Sequence, residues 1–112
     1  FHDTSLVAER DGELAGFLIG FMSPSKLDSA YIHFVGVNPR SRGNGLARRL
    51  YETFFDRAKT EGRRVVRAVT ASHNSASIAF HTAMGFTVTD PIPGYDGPSD
   101  VKVLFQRELT EG

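Results

Sequence analysis

The sequence predicts a mixed α/β fold in which strands outnumber helices. Three observations lead there. Two β-type runs flank Asp11-Gly12, a pair suited to a two-residue hairpin turn. Residues 31–60 then read as a strand, a basic glycine-bearing loop and an amphipathic helix. Residues 64–89 repeat the alternation with a strand, a shorter helix and another strand.

Taken in order, Ser5 to Arg10 forms the first arm of the hairpin and Leu14 to Met22 the second. Gly16 and Gly20 weaken the second arm and mark bulges or a close backbone approach. Ser23-Pro24-Ser25 ends it, and Lys26 to Ser29 is a loop. Ala30 to Val37 is a third strand, stopped by Asn38-Pro39 because proline has no N–H for a sheet ladder. Leu46, Leu50, Phe54 and Ala58 fall on one helical face, with Ala47, Tyr51 and Phe55 beside them. That helix runs to about Thr60, with Gly62 as its stop. Arg64 to Ala71 is a fourth strand. Asn74 or Ser75 caps a short helix through Met84, and Gly85 ends it. A strand begins at Gly85-Phe86, Asp90 to Asp100 is a loop, and Val101 to Leu109 is the last strand.

The 112 residues suffice for one domain, and nine Phe supply a core. Thirteen basic residues balance thirteen acidic ones, which argues against a general nucleic-acid binder. There is no cysteine, hence no disulfide, thiolate nucleophile or cysteine metal site. That usage is compatible with the cytosol, and the expected location is cytoplasmic. No apolar run is long enough to span a bilayer. No metal and no membrane partner is expected.

The loop from Arg40 to Gly45 carries the chemistry. The first N–H groups of a helix lack internal partners and lie at the positive end of its dipole. Gly43 and Gly45 let a ligand approach that backbone, and Arg40 and Arg42 add charge. Physically this is a pyrophosphate cradle. It is not a Walker A loop, since no Gly-Lys-Ser/Thr follows. Nor is it a dinucleotide fingerprint, because Arg48 sits where its third Gly or Ala belongs.

Arg40, Gly43 and Gly45 resemble the Arg/Gln-x-x-Gly-x-Gly/Ala signature of the GNAT superfamily, the acyl-CoA-dependent N-acyltransferases. The strand ending at Val37 and Pro39 is also similar to that family. A second motif agrees: Asn74, a short helix, then Gly85-Phe86. The resemblance covers about Ser5 to Leu109. It implies a mixed, mostly antiparallel twisted sheet flanked by helices, with the cradle between a strand and the helix after it. It also implies transfer of an acetyl group from acetyl-CoA to a primary amine by direct attack in a ternary complex.

The same resemblance implies the site. Arg40, Arg42, Gly43, Asn44, Gly45, Leu46 and Ala47 would hold the pyrophosphate. Backbone groups of Val35 and Val37 would pair with the pantetheine arm as if it were an added strand, and Gly36 between them is also expected to border the cofactor. Asn74 and Phe80 would also border that arm, although Asn before a helix is also an ordinary cap. Four residues before Gly85 the family has a Tyr that protonates the departing sulfur; this chain has His81. Imidazole titrates near 6.5 and is able to replace it, or His81 is a helix-face residue only. His33 is a candidate for relaying the amine's proton through water, or a sheet-face residue without chemistry; Glu9 and Tyr31 are further base candidates.

Two rivals stay open: an acyl-CoA-binding or sensing domain without catalysis, and a general nucleotide or phosphate binder. Chains with this resemblance usually begin with a strand and two helices ahead of the hairpin. Here only Phe1 to Thr4 precede the first strand. The expectation is therefore a single domain over 1–112 that is truncated at its N-terminus, or a homodimer. Either would cover the open edge at Ser5–Arg10 and a sheet face bearing Phe17, Ile19 and Phe21. The acceptor amine, a small molecule or a peptide, is not readable; acidic residues in 90–100 would suit a cationic one.

Overall fold

The computed structural model describes residues 2–41, 45–94, 97 and 100–109. Strands β1 (His2–Arg10) and β2 (Glu13–Met22) form the hairpin. Asp11 and Gly12 have φ of 54° and 80°, the two positive values that a type I′ turn requires. Strand β3 (Ser29–Val37) pairs antiparallel with β2, and a 3-10 turn over Pro39–Ser41 follows it. Helix α1 (Leu46–Thr60), strand β4 (Val65–Ala71) and helix α2 (Ser75–Ala83) come next. Strands β5 (Thr87–Val88), β6 (Ile92–Pro93) and β7 (Val101–Glu108) complete the chain.

The sheet order is β1-β2-β3-β4-β7-β5, with β6 also on β7. Among the described residues only β3 and β4 pair in parallel. The fold class is thus the mixed, mostly antiparallel sheet with flanking helices. Two boundaries differ from expectation: β1 begins at His2 and not at Ser5, and the 90–100 stretch is not wholly irregular, because Ile92–Pro93 pairs with Val101 and Lys102. Proline is tolerated there because the pairing is two residues long and at an edge.

Both helices pack on one face. Leu18, Met22, Ala30, Ile32, Val66, Val103 and Phe105 come from the sheet; Leu50, Tyr51, Phe54, Phe55 and Ala58 come from α1. Gly20 makes the closest approach possible. A Cβ there would lie 2.5 Å from Phe54 Cε1 and 2.8 Å from the Tyr31 carbonyl. The bare backbone lets the Phe54 ring reach the sheet, and its full burial contributes roughly 1.5–3 kcal/mol. The opposite face is open. Among the described residues no helix lies over it, and Ile19 and Phe34 are 38% and 57% exposed. Phe21 is half-buried and stacks on Tyr31 at 5.2 Å. Among the described residues no helix is long and apolar enough to cross a membrane.

We predict that Gly20→Ala lowers the unfolding free energy by about 1–3 kcal/mol through overpacking. Urea denaturation measures it. An unchanged midpoint would mean that Phe54 yields without cost.

Candidate active site

The parallel pairing of β3 and β4 is short. Ser29, Ala30 and Tyr31 face Val65, Val66 and Arg67, and there it ends. Yet β3 continues to Val37 and β4 to Ala71. Past that point β3 stays with β2 while β4 stays with β7, so an opening lies between them. A β-bulge sits where they part: Ile19 faces Phe34 and Gly20 faces Ile32, which leaves His33 unopposed.

Hydrogen-bond alternation shows which backbone groups line the opening. The Asn38 N–H donates to the Ala15 carbonyl at 2.7 Å. That bond flanks the Gly16–Val37 pair and makes it a non-hydrogen-bonded pair. The two kinds of pair alternate, so Leu18–Val35 is of the same kind. The N–H and C=O of Val35 and Val37 therefore point away from β2, into the opening. Gly36 points the other way. Its polar backbone belongs to β2, and its missing Cβ makes room for Phe17, whose Cε1 would otherwise be 2.5 Å away. Gly36, expected among the cofactor-binding residues, thus turns its polar backbone to β2 and not to the opening.

The end of β3 leads to the N-terminus of α1. Asn38 shapes the turn: its side chain accepts from the Arg40 N–H at 3.0 Å and donates to the Leu14 carbonyl at 3.2 Å. Gly45, at φ 80°, is the residue that precedes the helix. An L side chain there would be strained. The first turn holds no acidic residue, and Arg48 and Arg49 lie in it. Positive charge at a helix N-terminus suits a bound anion better than it suits the helix. Arg40 is exposed and 3.9 Å from Glu13, a surface pair that leaves its charge available. Leu46 sends its side chain into the core, and Ala47 is half-buried. Arg42, Gly43 and Asn44 lie outside the described residues.

Of the two roles left open for Asn74 in the second motif, the structure shows the cap. Asn74 caps α2: its Oδ1 accepts from the Ser77 N–H at 3.1 Å and its Nδ2 donates to Thr70 Oγ1 at 3.3 Å. Phe80 is half-buried against the core, edge-on to Tyr51 at 5.0 Å. His81 is 5% exposed and stacks on Phe105 at 4.0 Å. Its Nδ1 lies 2.8 Å from the Ser77 carbonyl, which only accepts, so Nδ1 carries the proton. Nε2 then accepts from the Tyr51 hydroxyl at 2.8 Å. Burial pulls the His81 pKa below its ordinary value, and the bond to Ser77 opposes this. Burial also raises the Tyr51 pKa. A neutral, buried imidazole with both nitrogens engaged has no proton to offer a cleft. The expectation of His81 as the acid is corrected: it is a core polar group.

His33 is exposed, with its ring 4.2 Å from Phe34, and borders the opening together with Tyr31. Glu9 does not: it sits on edge strand β1, with β2 and β3 between it and β4. Sequence reasoning passed over Arg67 and Lys26, which border the same cleft. The signal for Arg67 is a lone charge inside Val65-Val66-Arg67-Ala68-Val69. Among the described residues, no group of three or more His, Cys, Asp or Glu gathers to hold a metal.

The acetyltransferase (GNAT) family model matches residues 1–86. The L-2,4-diaminobutyric acid acetyltransferase of Vibrio parahaemolyticus is 37% identical over 118 aligned positions, covering 97% of this chain and 65% of that protein. The L-methionine sulfoximine/L-methionine sulfone acetyltransferase of Salmonella typhimurium is 36% identical over 91, covering 79% and 53%. The chain spans 44% to 65% of the length of curated relatives that it matches. Among solved structures, yncA of Salmonella typhimurium, determined with its cofactor acetyl-CoA, is 30% identical with a TM-score of 0.79, covering 98% of this chain and 66% of that one.

The His81 environment yields a pH prediction. Below about 6.5 the unfolded chain takes up a proton that the folded His81 resists. The stability it contributes is complete above that value and is lost as pH falls toward the lowered folded pKa. His81→Phe removes this dependence, and at pH 7.5 costs about 1–3 kcal/mol by leaving the Tyr51 hydroxyl unpaired. Urea midpoints at pH 7.5 and 5.5 for both proteins measure it. Equal pH dependence in the two would refute the assignment.

Proposed function

The chain belongs to the acetyltransferase (GNAT) family, and on that premise we propose that it transfers an acetyl group from acetyl-CoA to the primary amine of a small molecule. The observation that carries this reading is the pair of Val35 and Val37 backbone edges facing the opening, next to the N-terminus of α1. A pantetheine arm has amides spaced to add to such an edge as a strand would. The pyrophosphate then falls near Gly45 and the arginines around it, where helix dipole and side-chain charge both favour it.

The reaction follows from this placement. The neutral amine attacks the thioester carbonyl directly. The carbonyl oxygen gains charge, and the Val35 N–H is the donor suited to stabilise it. The carbon–sulfur bond then breaks. A thiol of ordinary pKa near 8.5 leaves tolerably well as thiolate, so the burial of His81 does not block the reaction. His33, exposed at the bulge, takes the amine's proton through water. Much of the acceleration comes from holding amine and thioester together. The names of both acetyltransferase relatives above refer to amino-acid substrates, which supports a free amino acid as acceptor. The burial of His81 also favours a binding-only reading, in which acyl-CoA is held without turnover. A thiol-release assay with acetyl-CoA and a panel of amines decides between them.

Two variants test the roles. Gly45→Asp places a carboxylate at the anion site, and acetyl-CoA affinity should fall by about 100-fold or more by calorimetry. Unchanged affinity in a folded variant would remove the cradle. His33→Gln should lower kcat by on the order of 10² with acetyl-CoA affinity intact. Wild-type kcat would leave His33 a surface residue.

A further inference from the structure

We propose that Arg67, with Lys26, forms a carboxylate subsite that selects an amino acid over the corresponding simple amine as acceptor. The inference rests on the acetyl-transfer reading and adds the group that recognises the acceptor. A cleft of about 460 Å³ lies on the helix-free face where β3 and β4 part. His33 and Val69 lie where the strands diverge; Lys26, Tyr31, Arg67 and Gln106 lie toward the paired end. No Asp or Glu is among the described residues that line it. A cationic acceptor would meet two like charges and no counter-charge, so the expectation of one, drawn from the acidic 90–100 loop, finds no support here. Asp100 from that loop instead pairs with Lys102 at 3.2 Å.

Arg67 is held but not neutralised. Its Nη1 donates to Gln106 Oε1 at 2.7 Å and its Nε donates to Ser29 Oγ at 3.4 Å. Both partners are uncharged, Ser29 Oγ in turn donating to Asp28 Oδ1 at 3.0 Å, and among the described residues no carboxylate pairs with Arg67 directly. A half-buried guanidinium without a counter-charge has lost part of its hydration. A ligand carboxylate restores that loss through charge-assisted, forked hydrogen bonds. Lys26 stands on an equally fixed loop. Its N–H donates to Ser23 Oγ at 3.0 Å, and its carbonyl accepts from the Ser29 N–H at 2.9 Å and from Arg63 Nη1 at 3.2 Å. The held guanidinium of Arg67 lowers the ordering cost of binding, while at Lys26 only the backbone is fixed and its exposed side chain reaches the ligand by rotation. An acceptor whose carboxylate sits at this end directs its amine toward His33 and the opening.

The test uses matched pairs with the full chain: L-amino acids against the amines they give on decarboxylation, including L-2,4-diaminobutyrate against 1,3-diaminopropane. In the best-used pair, kcat/KM should favour the amino acid by about 10- to 100-fold. Arg67→Gln should bring that ratio close to one, mainly through KM, and Arg67→Lys should recover part of it. A purely structural Arg67 would change stability without changing the ratio. Equal use of both members by the wild type, or a preference retained in folded Arg67→Gln, overturns the subsite while acetyl transfer stands. Should Arg67→Gln not fold, the wild-type ratio and competitive inhibition by the desamino carboxylate decide, and no inhibition at substrate-like concentrations overturns the subsite. Failure to acetylate any member of any pair, with acetyl-CoA bound, overturns the acetyl-transfer reading itself and this inference with it.

Discussion

Two antiparallel half-sheets meet along only three residue pairs, and the site depends on that limit. β1, β2 and β3 form one half; β4, β7 and the short strands on it form the other. Each inner strand is paired along one edge within its own half, and past Tyr31 and Arg67 its other edge is left to the opening. The paired end is fastened from outside. Arg63 Nη1 donates to the carbonyls of Ser23 at 2.8 Å and Lys26 at 3.2 Å, and the N–H groups of Arg64 and Val65 both donate to Asp28. The opposite end, without a clamp, stays open.

The opening joins two kinds of recognition. On one side stand the polar backbone groups of Val35 and Val37, which any extended amide-bearing arm is able to meet without sequence-specific side chains. On the helix-free face stands a cleft whose charged groups are Arg67 and Lys26. Backbone recognition suits a co-substrate that never changes. Side-chain recognition suits an acceptor that differs from one relative to another. The bulge at His33 lies where the two meet: the extra residue is left unpaired, shifts the register by one, and borders the cleft.

The buried His81 shows how a residue at a motif position is able to take another role. Tyr51, Phe80, Phe86 and Phe105 surround its ring. In such a setting a charged imidazole is costly, while a neutral one with both nitrogens satisfied is not. The Tyr51 hydroxyl needs an acceptor for the same reason. The pair ties α1 to α2 across the core, which the weak amphipathicity of the nine-residue α2 would not achieve alone.

The sequence by itself determined the element order, the hairpin at Asp11-Gly12, the loop before α1 and the family. These follow from local signals: φ preference, proline's missing donor, helical spacing and short motifs. Gly20 was legible as a close approach, because a glycine within a strand asks for one. Tertiary structure alone decided which side each strand turns to the opening, so that Gly36 serves Phe17 while Val35 and Val37 face the cleft. It alone decided that His81 is inside, since a helix position is buried or exposed only by what packs on it. It also brought Lys26 to Arg67, 41 residues apart along the chain. The physical reason is common to all three. Backbone conformation is set by neighbours in sequence, whereas burial, charge pairing and strand register are set by residues that the chain brings close only on folding.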